Sequence, residues 1–331
     1  MKKIKKFKTR TLLSLVSCCL LLVTASPAAA APISLSIDPA ITTINAISPS
    51  KTTSSLTIKN NSDKQVAAQI TIKPFKAFLE NGELEYLDAQ DSFLSSNVRI
   101  LDNGIPVETL TLAPDQSKNL TLSVNVPRDT KIRDYYFSIL FISQNPLIPT
   151  STMSLNQLGV ASNVLLSIGP KQIPDASLEE FSSDFFFKNG PIPFTIRIKN
   201  KGKHFMKPKG EITIRNMFGQ TIGRLDLTSV NILSNSIRAI PNNSYVEELK
   251  SEDFLKSKSA LEHKSPKALW EEKFLLGFYT ATLNIMMSDE GPLFTKSINF
   301  FALPIQGIVG IIILITVVIV IKNKLKTHLK K

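Results

Sequence analysis

Apolar and polar residues alternate with a period of two through much of the chain between residues 33 and 168. The alternation is clearest in five segments, which are residues 56–58, 66–72, 120–126, 135–141 and 164–168. Successive side chains of a strand point to opposite faces of a sheet, so this period is typical of half-buried strands. Turn-forming clusters at residues 60–63 and 114–117 lie between the segments. The pattern predicts an all-β fold of antiparallel, immunoglobulin-like β-sandwiches.

The second half of the chain repeats the first in outline. The motif IKN at residues 58–60 leads after 12 residues to ITI at 70–72, and the same motif at 198–200 leads after 14 residues to ITI at 212–214. Between the halves lie residues 169–174 (GPKQIP), in which a proline stands at each end of a short polar stretch. Prolines so placed disfavour both a helix and a central strand. We therefore predict two immunoglobulin-like sandwiches in tandem, over residues 31–170 and 175–300, with a linker over residues 171–174.

Two segments interrupt the strand pattern and are predicted insertions. The first covers roughly residues 78–104, and the second lies near residues 242–273 in the second predicted sandwich. The second segment mixes acidic and basic side chains and is poor in glycine, which fits either a short helix or a mobile flap. Loops of this length often hold binding residues.

The N-terminus has the features of a secretory signal peptide. Six basic residues precede an apolar stretch over residues 12–23 and the small-residue run AAAA at 28–31. This arrangement predicts a signal peptide over residues 1–30 that is cleaved after Ala30. A lipoprotein signal is the alternative, because Leu15-Val16-Ser17-Cys18 loosely matches a lipid-modification box, but the apolar run continues beyond Cys18.

The C-terminus has the features of a membrane anchor. Residues 305–321 read IQGIVGIIILITVVIVI, and no charged residue occurs from residue 300 to residue 321. About 20 apolar residues in a helix span a bilayer, so we predict one transmembrane helix over residues 301–321. The tail over residues 322–331 contains five lysines, and such tails stay cytoplasmic. The expected protein is a single-pass type I membrane protein with an extracellular ectodomain.

Charge and cysteine content limit the classes of partner. The net charge of +12 includes six positive charges in the leader and five in the tail, so residues 31–321 are close to neutral. A nearly neutral ectodomain lacks the basic stripe that nucleic-acid binding requires. Both cysteines, Cys18 and Cys19, belong to the leader, so the exported part has no thiol. Exported domains without disulfides favour a bacterial surface protein.

The side chains that could support catalysis or metal binding are few. The three histidines, at residues 204, 263 and 328, are far apart in the sequence and make no cluster. An acidic loop could bind calcium, but it lacks the alternating spacing and the turn glycine of a calcium loop. A second acidic group could in principle hydrolyse a glycosidic bond of the cell wall. The first group is Glu80, Glu83, Glu85, Asp88 and Asp91, and the second is Glu179, Glu180 and Asp184.

Several aromatic residues could form a platform for stacking sugars if one face were exposed. Aromatic residues on alternating strands are more often core residues, so we assign them to the core. The residues are Tyr135, Tyr136, Phe137, Phe141, Phe278 and Tyr279.

Several motifs carry a resemblance to known families. Residues 37–40 (IDPA) and 56–62 (LTIKNNS) resemble the start of pilus-chaperone-like immunoglobulin domains. Together with residues 134–141 (DYYFSILF) and 164–169 (VLLSIG), they resemble the N-terminal domain of Gram-positive WxL-interacting, peptidoglycan-binding-like surface proteins. Residues 232–238 (ILSNSIR), 277–282 (GFYTAT) and 300–304 (FFALP) resemble the membrane-proximal domain of that family.

The resemblance extends over nearly the whole ectodomain. It implies two immunoglobulin-like domains on one membrane helix, of which the outer contacts peptidoglycan and the inner holds a partner surface protein. No short binding motif of the family can be placed on this chain, so the resemblance assigns no binding residues.

The function that we favour is a non-enzymatic, membrane-anchored cell-surface adaptor. It would bind a surface protein, a cell-wall polymer or both through its sandwich domains, because open sheet edges offer backbone donors and acceptors. The alternatives are a membrane-tethered chaperone for the assembly of exported surface subunits and a cell-wall hydrolase. The expected partners are the lipid bilayer, through the C-terminal helix, and a surface protein or peptidoglycan. We predict no cofactor, no nucleic-acid partner and no catalytic, cofactor-binding or metal site.

Overall fold

The computed structural model describes residues 34–89, 91–144, 159–245, 265–289, 291–305 and 315–319. These residues form two β-sandwiches, which follow one another along the chain. The predicted signal peptide over residues 1–30 and the predicted tail over residues 322–331 lie outside the described residues.

The first sandwich packs two sheets against each other. One sheet has the order β1 (Leu35–Asp38), β3 (Ser50–Asn60), β9 (Ser117–Val126), β6 (Val98–Asp102) and β7 (Ile105–Pro106). The other has the order β2 (Ile41–Ala46), β11 (Gly159–Ile168), β10 (Arg133–Ser143), β4 (Val66–Ala77) and β5 (Leu84–Tyr86), with β8 (Thr109–Leu112) beside β4. Strand β2 is parallel to β11, so the chain changes sheets between β1 and β2.

The second sandwich has the same two-layer design. One sheet contains β12 (Ala176–Ser182), β14 (Ile192–Asn200) and β17 (Ile237–Ala239), with β18 (Ala268–Trp270) also paired to β14. The other has the order β13 (Phe186–Phe187), β20 (Leu293–Ala302), β19 (Gly277–Met286), β15 (Lys209–Asn216) and β16 (Thr221–Asp226). Residues 169–175 connect β11 to β12. The prediction of an all-β chain with tandem sandwiches is therefore confirmed for the described residues.

Each sandwich has its own apolar core, formed by the alternating inward side chains. Phe137 and Phe141 of β10 are fully buried in the first core. In the second, Phe194 of β14 meets Phe300 of β20 edge to face, with ring centroids 6.0 Å apart. A buried side chain of this size contributes about 1.5–3 kcal/mol, so these contacts hold the two sheets of each sandwich together.

The repeated IKN motif has the same structural role in both sandwiches. Asn60 ends β3 and Asn200 ends β14, and both are fully buried. The Asn60 amide donates to the C=O of Lys64 and its oxygen accepts from the N–H of Ser62. In the same way, the Asn200 amide donates to the C=O of His204 and its oxygen accepts from the N–H of Gly202. The motif therefore closes the turn that follows the third strand of each sandwich.

The two segments predicted to be insertions contain regular strands and a helix of the sandwiches. In the segment over residues 78–104, β5, the short helix α1 (Ser92–Asn97) and β6 are regular elements, and β6 belongs to the first core. In the segment near residues 242–273, β18 places Ala268 and Trp270 in the second core. Strands this short leave too few residues for a visible alternation, so the pattern did not reveal them. Residues 246–264 lie outside the described residues.

The C-terminal boundary also differs from the prediction. Strand β20 continues through Phe301 and Ala302, because Phe301 pairs with Phe278 and Ala302 with Gly277. The boundary predicted at residue 301 is therefore too early. Most of the remaining apolar segment lies outside the described residues, and among those described no helix has the length and apolar character needed to cross a bilayer.

Candidate interdomain binding groove

A buried polar network centred on Asp134 joins the two sandwiches. The fully buried Asp134 carboxylate accepts hydrogen bonds from the Tyr136 hydroxyl (2.6 Å) and from the N–H of Phe205. His204 Nδ1 lies 2.7 Å from Asp134 Oδ1, and it is the donor because an ionised carboxylate only accepts. The Tyr136 hydroxyl accepts in turn from the N–H of Ser234 at 3.0 Å. One carboxylate of the first sandwich thus holds two loops of the second.

The Tyr136 hydroxyl remains a donor in this network over the ordinary pH range. Burial raises the pKa of Tyr136 well above its usual value, and the Asp134 charge raises it further. The ring of Tyr136 stacks on Phe75 with centroids 6.1 Å apart, beside the buried Leu165 and Leu233. The contact between the sandwiches therefore has both a polar and an apolar part.

The hairpin formed by β4 and β5 reaches from the first sandwich to the second. The C=O of Glu80 accepts a hydrogen bond from the N–H of Ala239 in β17 (2.9 Å). The Glu80 carboxylate pairs with both sides of the Arg197 guanidinium, at 2.8 Å for Nε, and this hydrogen bonding raises the pKa of Arg197. Gly82 has φ +94°, and a Cβ there would lie 1.6 Å from a guanidinium nitrogen of Arg238. Only glycine fits this approach of the hairpin.

Two neighbouring cavities form a groove between the sandwiches, with volumes of about 490 and 570 Å³. Thr43, Phe205 and Lys207 line both cavities. The first cavity has an apolar wall that includes Phe75 and Leu165. The space is called the interdomain groove below, and its border includes Ile41, Thr43, Asn45, Phe205, Lys207 and Arg238.

One wall of the groove is the outer edge of β2. On the inner side, the C=O of Ala40 accepts from the N–H of Asn163 in β11, and the C=O of Ala46 accepts from the N–H of Gly169 directly after β11. Backbone polar groups alternate in direction along a strand, so those of Ile41, Thr43 and Asn45 point to the opposite side. No described strand pairs with that outer edge. An extended chain lying in the groove would find unpaired backbone donors and acceptors there.

Arg238 is a charged group of the groove that pairs with no carboxylate among the described residues. Burial lowers the pKa of Arg238, because the charged guanidinium loses contact with water. Its buried Nε meets no hydrogen-bond acceptor in the described part of the chain. A buried charge without a partner is unfavourable, so an anionic group of a bound molecule would be stabilised here.

A larger cavity, of about 730 Å³, lies within the first sandwich between β4 and β6. Several of its charged groups have partners, since Lys73 pairs with Asp88 at 3.1 Å and Arg99 donates to the C=O groups of Ser95 and Val98. This cavity belongs to the first sandwich alone and is separate from the interdomain groove.

The predicted acidic loop does not form a cation site. Its carboxylates are spread over separate contacts, and no cluster of three or more metal-ligating side chains occurs among the described residues. The contacts are Glu80 with Arg197, Glu83 with Asn81, Glu85 with Lys76, Asp88 with Lys73, and Asp91 with both the N-terminus of α1 and Arg133.

The second acidic group also has structural partners. Glu179 accepts from the Ser177 hydroxyl, and this bond lowers the pKa of Glu179. Glu180 accepts from the Ser182 hydroxyl and from Arg197, and these bonds lower its pKa as well. A glycosidase acid needs a raised pKa, so this pair is poorly suited to hydrolysis. Asp184 is exposed.

Of the six aromatic residues assigned to the core from the sequence, most are buried, but not all of them. Four of them, Tyr135, Phe137, Phe141 and Tyr279, are buried. Tyr136 lies in the contact between the sandwiches, and Phe278 is exposed. These side chains do not share one open face.

Sequence reasoning missed the contact between the sandwiches and therefore the groove. A signal was present, because VLL at residues 164–166 and YYF at 135–137 are apolar on both faces of their strands. Such runs are typical of strands buried on both sides. Leu165 and Tyr136 are the members that face the second sandwich. His204 had no comparable signal, since its partner is 70 residues away in the chain.

No protein-family model matches this sequence, and no curated protein matches it. The resemblance to WxL-interacting surface proteins therefore stays a prediction.

Similar arrangements occur among solved structures of fimbrial chaperones. The class 5 fimbriae chaperone CfaA is 11% identical with a TM-score of 0.39, over 80% of this chain and 98% of that one. The CupB2 chaperone of Pseudomonas aeruginosa is 10% identical with a TM-score of 0.33, over 78% and 97%. The SafB chaperone, solved with the SafA pilin of Salmonella enterica, is 11% identical with a TM-score of 0.32, over 81% and 97%. At this level of identity and superposition, the likeness indicates nothing about the partner of this chain.

Proposed function

We propose that this chain is a non-enzymatic, membrane-anchored cell-surface protein that holds an extended segment of a protein partner in the interdomain groove. The observation behind the proposal is the outer edge of β2, with which no described strand pairs and which runs along the groove between the sandwiches. The partner segment would add to the sheet as a further strand.

The groove offers three kinds of contact to such a segment. The outward backbone groups of Ile41, Thr43 and Asn45 supply main-chain hydrogen bonds. The apolar wall near Phe75 accepts side chains from one face of the added strand, since alternate residues point the same way. Arg238 supplies a counter-charge for an acidic side chain or a terminal carboxylate.

The cellular location in this proposal comes from the sequence. The leader over residues 1–30 would direct export, and the apolar segment after Ala302 would anchor the second sandwich to the membrane. The basic tail over residues 322–331 would then stay in the cytoplasm. The groove would be outside the cell, where surface proteins and wall polymers are its potential ligands.

A second function uses the same groove, namely a membrane-tethered chaperone for exported subunits. An open strand edge recognises backbone more than side chains, which suits a protein that handles several different subunits. The adaptor and the chaperone differ in lifetime, because an adaptor keeps its partner whereas a chaperone releases it when assembly is complete.

The test uses two substitutions at one position. Thr43→Pro removes an outward N–H from β2, and proline is tolerated at the edge of a sheet. Thr43→Ala removes the side chain and keeps the N–H, so it is the matched control. The purified ectodomain, residues 31–304, is mixed with isolated cell walls that retain or lack their surface proteins, and the co-sedimenting protein is measured.

We expect wild type and Thr43→Ala to sediment with unstripped walls, and Thr43→Pro to remain in solution while keeping the wild-type thermal midpoint. Equal sedimentation of all three would show that β2 is not the binding edge. If the wild type binds equally to stripped and unstripped walls, its partner is a wall polymer and not a surface protein. If the partner is released from the ectodomain once exported subunits assemble with one another, the chaperone is the correct function.

A further inference from the structure

Exposed apolar side chains gather at one end of the second sandwich. They lie where β19 begins, where β20 ends, and at the turn between β15 and β16. We call this group the exit patch, because the chain leaves the sandwich beside it. Its members and their exposures are Phe185 (63%), Phe186 (43%), Met217 (56%), Phe218 (79%), Phe274 (67%), Leu276 (55%) and Phe278 (55%).

Direct contacts join this patch to the last strand. The ring of Phe301 lies 4.7 Å from that of Phe278 and 6.1 Å from that of Phe186, measured between centroids. The N–H of Phe301 donates to the C=O of Phe185 at 2.7 Å. Met217 approaches the start of β19, where its methyl carbon lies 2.5 Å from the position of a Cβ on Gly277. The patch is therefore one surface around the end of β20.

The same outer face of this sheet is polar along the middle of β19 and β20, between the patch and the exposed Met286 and Leu293 at the far end. Moving along β19 and β20, three successive pairs join Thr280 to Asn299, Thr282 to Ser297, and Asn284 to Thr295, at 2.8–2.9 Å. The aromatic character thus begins where these pairs end. An apolar surface of this kind, bounded by polar side chains, is typical of a contact with another phase or molecule.

The chain beyond β20 indicates what covers the patch. Only Leu303 and Pro304 separate Ala302 from the apolar segment over residues 305–321, which contains no charge. Three residues extend at most about 10 Å, so the patch lies that close to the start of this segment. We propose that the exit patch inserts into the headgroup region of the bilayer that holds residues 305–321. This proposal rests on the membrane anchor of the proposed function.

The consequence is a fixed orientation of the second sandwich on the membrane. The interdomain groove lies at the opposite end of the same sheet, where Lys209 and Asp289 border it. Strand β19 has 10 residues, so the two ends are about 30 Å apart. Burial of the patch would hold the groove at that height above the lipid, because apolar area is what binds a surface to the interface.

The test places one fluorophore at either end of the sheet in the full chain. Cys18 and Cys19 are replaced by serine, and a single cysteine is introduced as Phe218→Cys in the patch or as Leu293→Cys at the far end. Leu293 is a matched control, since it is also apolar and 60% exposed. Each variant carries an environment-sensitive dye and is reconstituted into phosphatidylcholine vesicles with or without nitroxide-labelled lipid.

We expect the dye at residue 218 to shift to shorter wavelength and to lose most of its emission to the nitroxide lipid, with neither change at residue 293. Vesicle flotation is measured on the same samples. If the chain floats with the vesicles but the two dyes respond alike, the proposal that the exit patch enters the bilayer is wrong, whereas the membrane anchor is retained. A chain that does not float would overturn both. Equal thermal midpoints of the two variants exclude misfolding as the cause of a difference.

Discussion

Replacing Asp134 by alanine tests whether the polar network determines how firmly the sandwiches are joined. The Asp134 carboxylate is fully buried and accepts from Tyr136, His204 and Phe205. A hydrogen bond to a charged group contributes about 1.5–3 kcal/mol. Removal of the carboxylate leaves the Tyr136 hydroxyl and the Phe205 N–H without this acceptor, while His204 Nδ1 keeps only the Ser167 hydroxyl, at 2.7 Å. Since the bonds are coupled and not additive, we expect the free energy of unfolding to fall by about 3–5 kcal/mol.

Urea unfolding of the ectodomain measures this loss with two probes. The single tryptophan, Trp270, lies in the second core and reports that sandwich alone, whereas circular dichroism reports both. With a slope of about 3 kcal/mol per M, the midpoint of Asp134→Ala should fall by more than about 1 M. The unfolding midpoints measured by the two probes should also differ, since the sandwiches would unfold less cooperatively.

The control is Asp129→Ala, at an exposed carboxylate on the loop before β10. A loss below about 1 kcal/mol in Asp134→Ala would refute the reasoning.

Three further substitutions have defined outcomes. Asn200→Ala removes the side-chain hydrogen bonds to the C=O groups of His204 and Ile232 and to the N–H of Gly202, although Ile232 still accepts from the N–H of Met206. The same urea assay should show a loss of about 2–3 kcal/mol, and an unchanged midpoint would contradict the role of the repeated asparagine. Above pH 10 an unfolded Tyr136 ionises while the folded hydroxyl, whose pKa is raised, keeps its proton, so stability falls as pH rises. The fall should be steeper in wild type than in Tyr136→Phe, by about 0.7 kcal/mol per pH unit at pH 10 and by an amount approaching about 1.4 kcal/mol per pH unit near pH 11, and identical slopes between pH 10 and 11 would argue against it. Gly190→Ala would place a Cβ 1.8 Å from the C=O of Glu272 and should lower the melting temperature by several degrees. Gly104→Ala has no atom within 4 Å and should lower it less, by the backbone strain of its φ of +85° alone.

The strand pattern was a sound guide wherever one face of a strand meets the core and the other meets water. It predicted the alternation of β9 and β10 and the equivalent turns at Asn60 and Asn200. It failed for β6 and β18, which are short and follow charged or irregular segments. It also treated the carboxylates at residues 80–91 as one acidic loop, although they meet separate partners. Glu80 pairs with Arg197 of β14, Glu85 and Asp88 pair with Lys76 and Lys73 of β4, and Asp91 pairs with Arg133 of β10.

Local sequence was therefore sufficient for the class of fold and for the tandem arrangement, because a period of two and a turn asparagine are properties of residues close together in the chain. The leader and the apolar C-terminal segment are likewise predicted from composition alone. The interdomain groove required the tertiary structure, since its parts lie on β2, on the β4–β5 hairpin and on loops of the second sandwich. The contact of Asp134 with His204, the position of Arg238 beside Gly82 and the gathering of the exit patch all depend on which strand ends meet in space. No local pattern encodes that, because those contacts join residues that are distant in the chain.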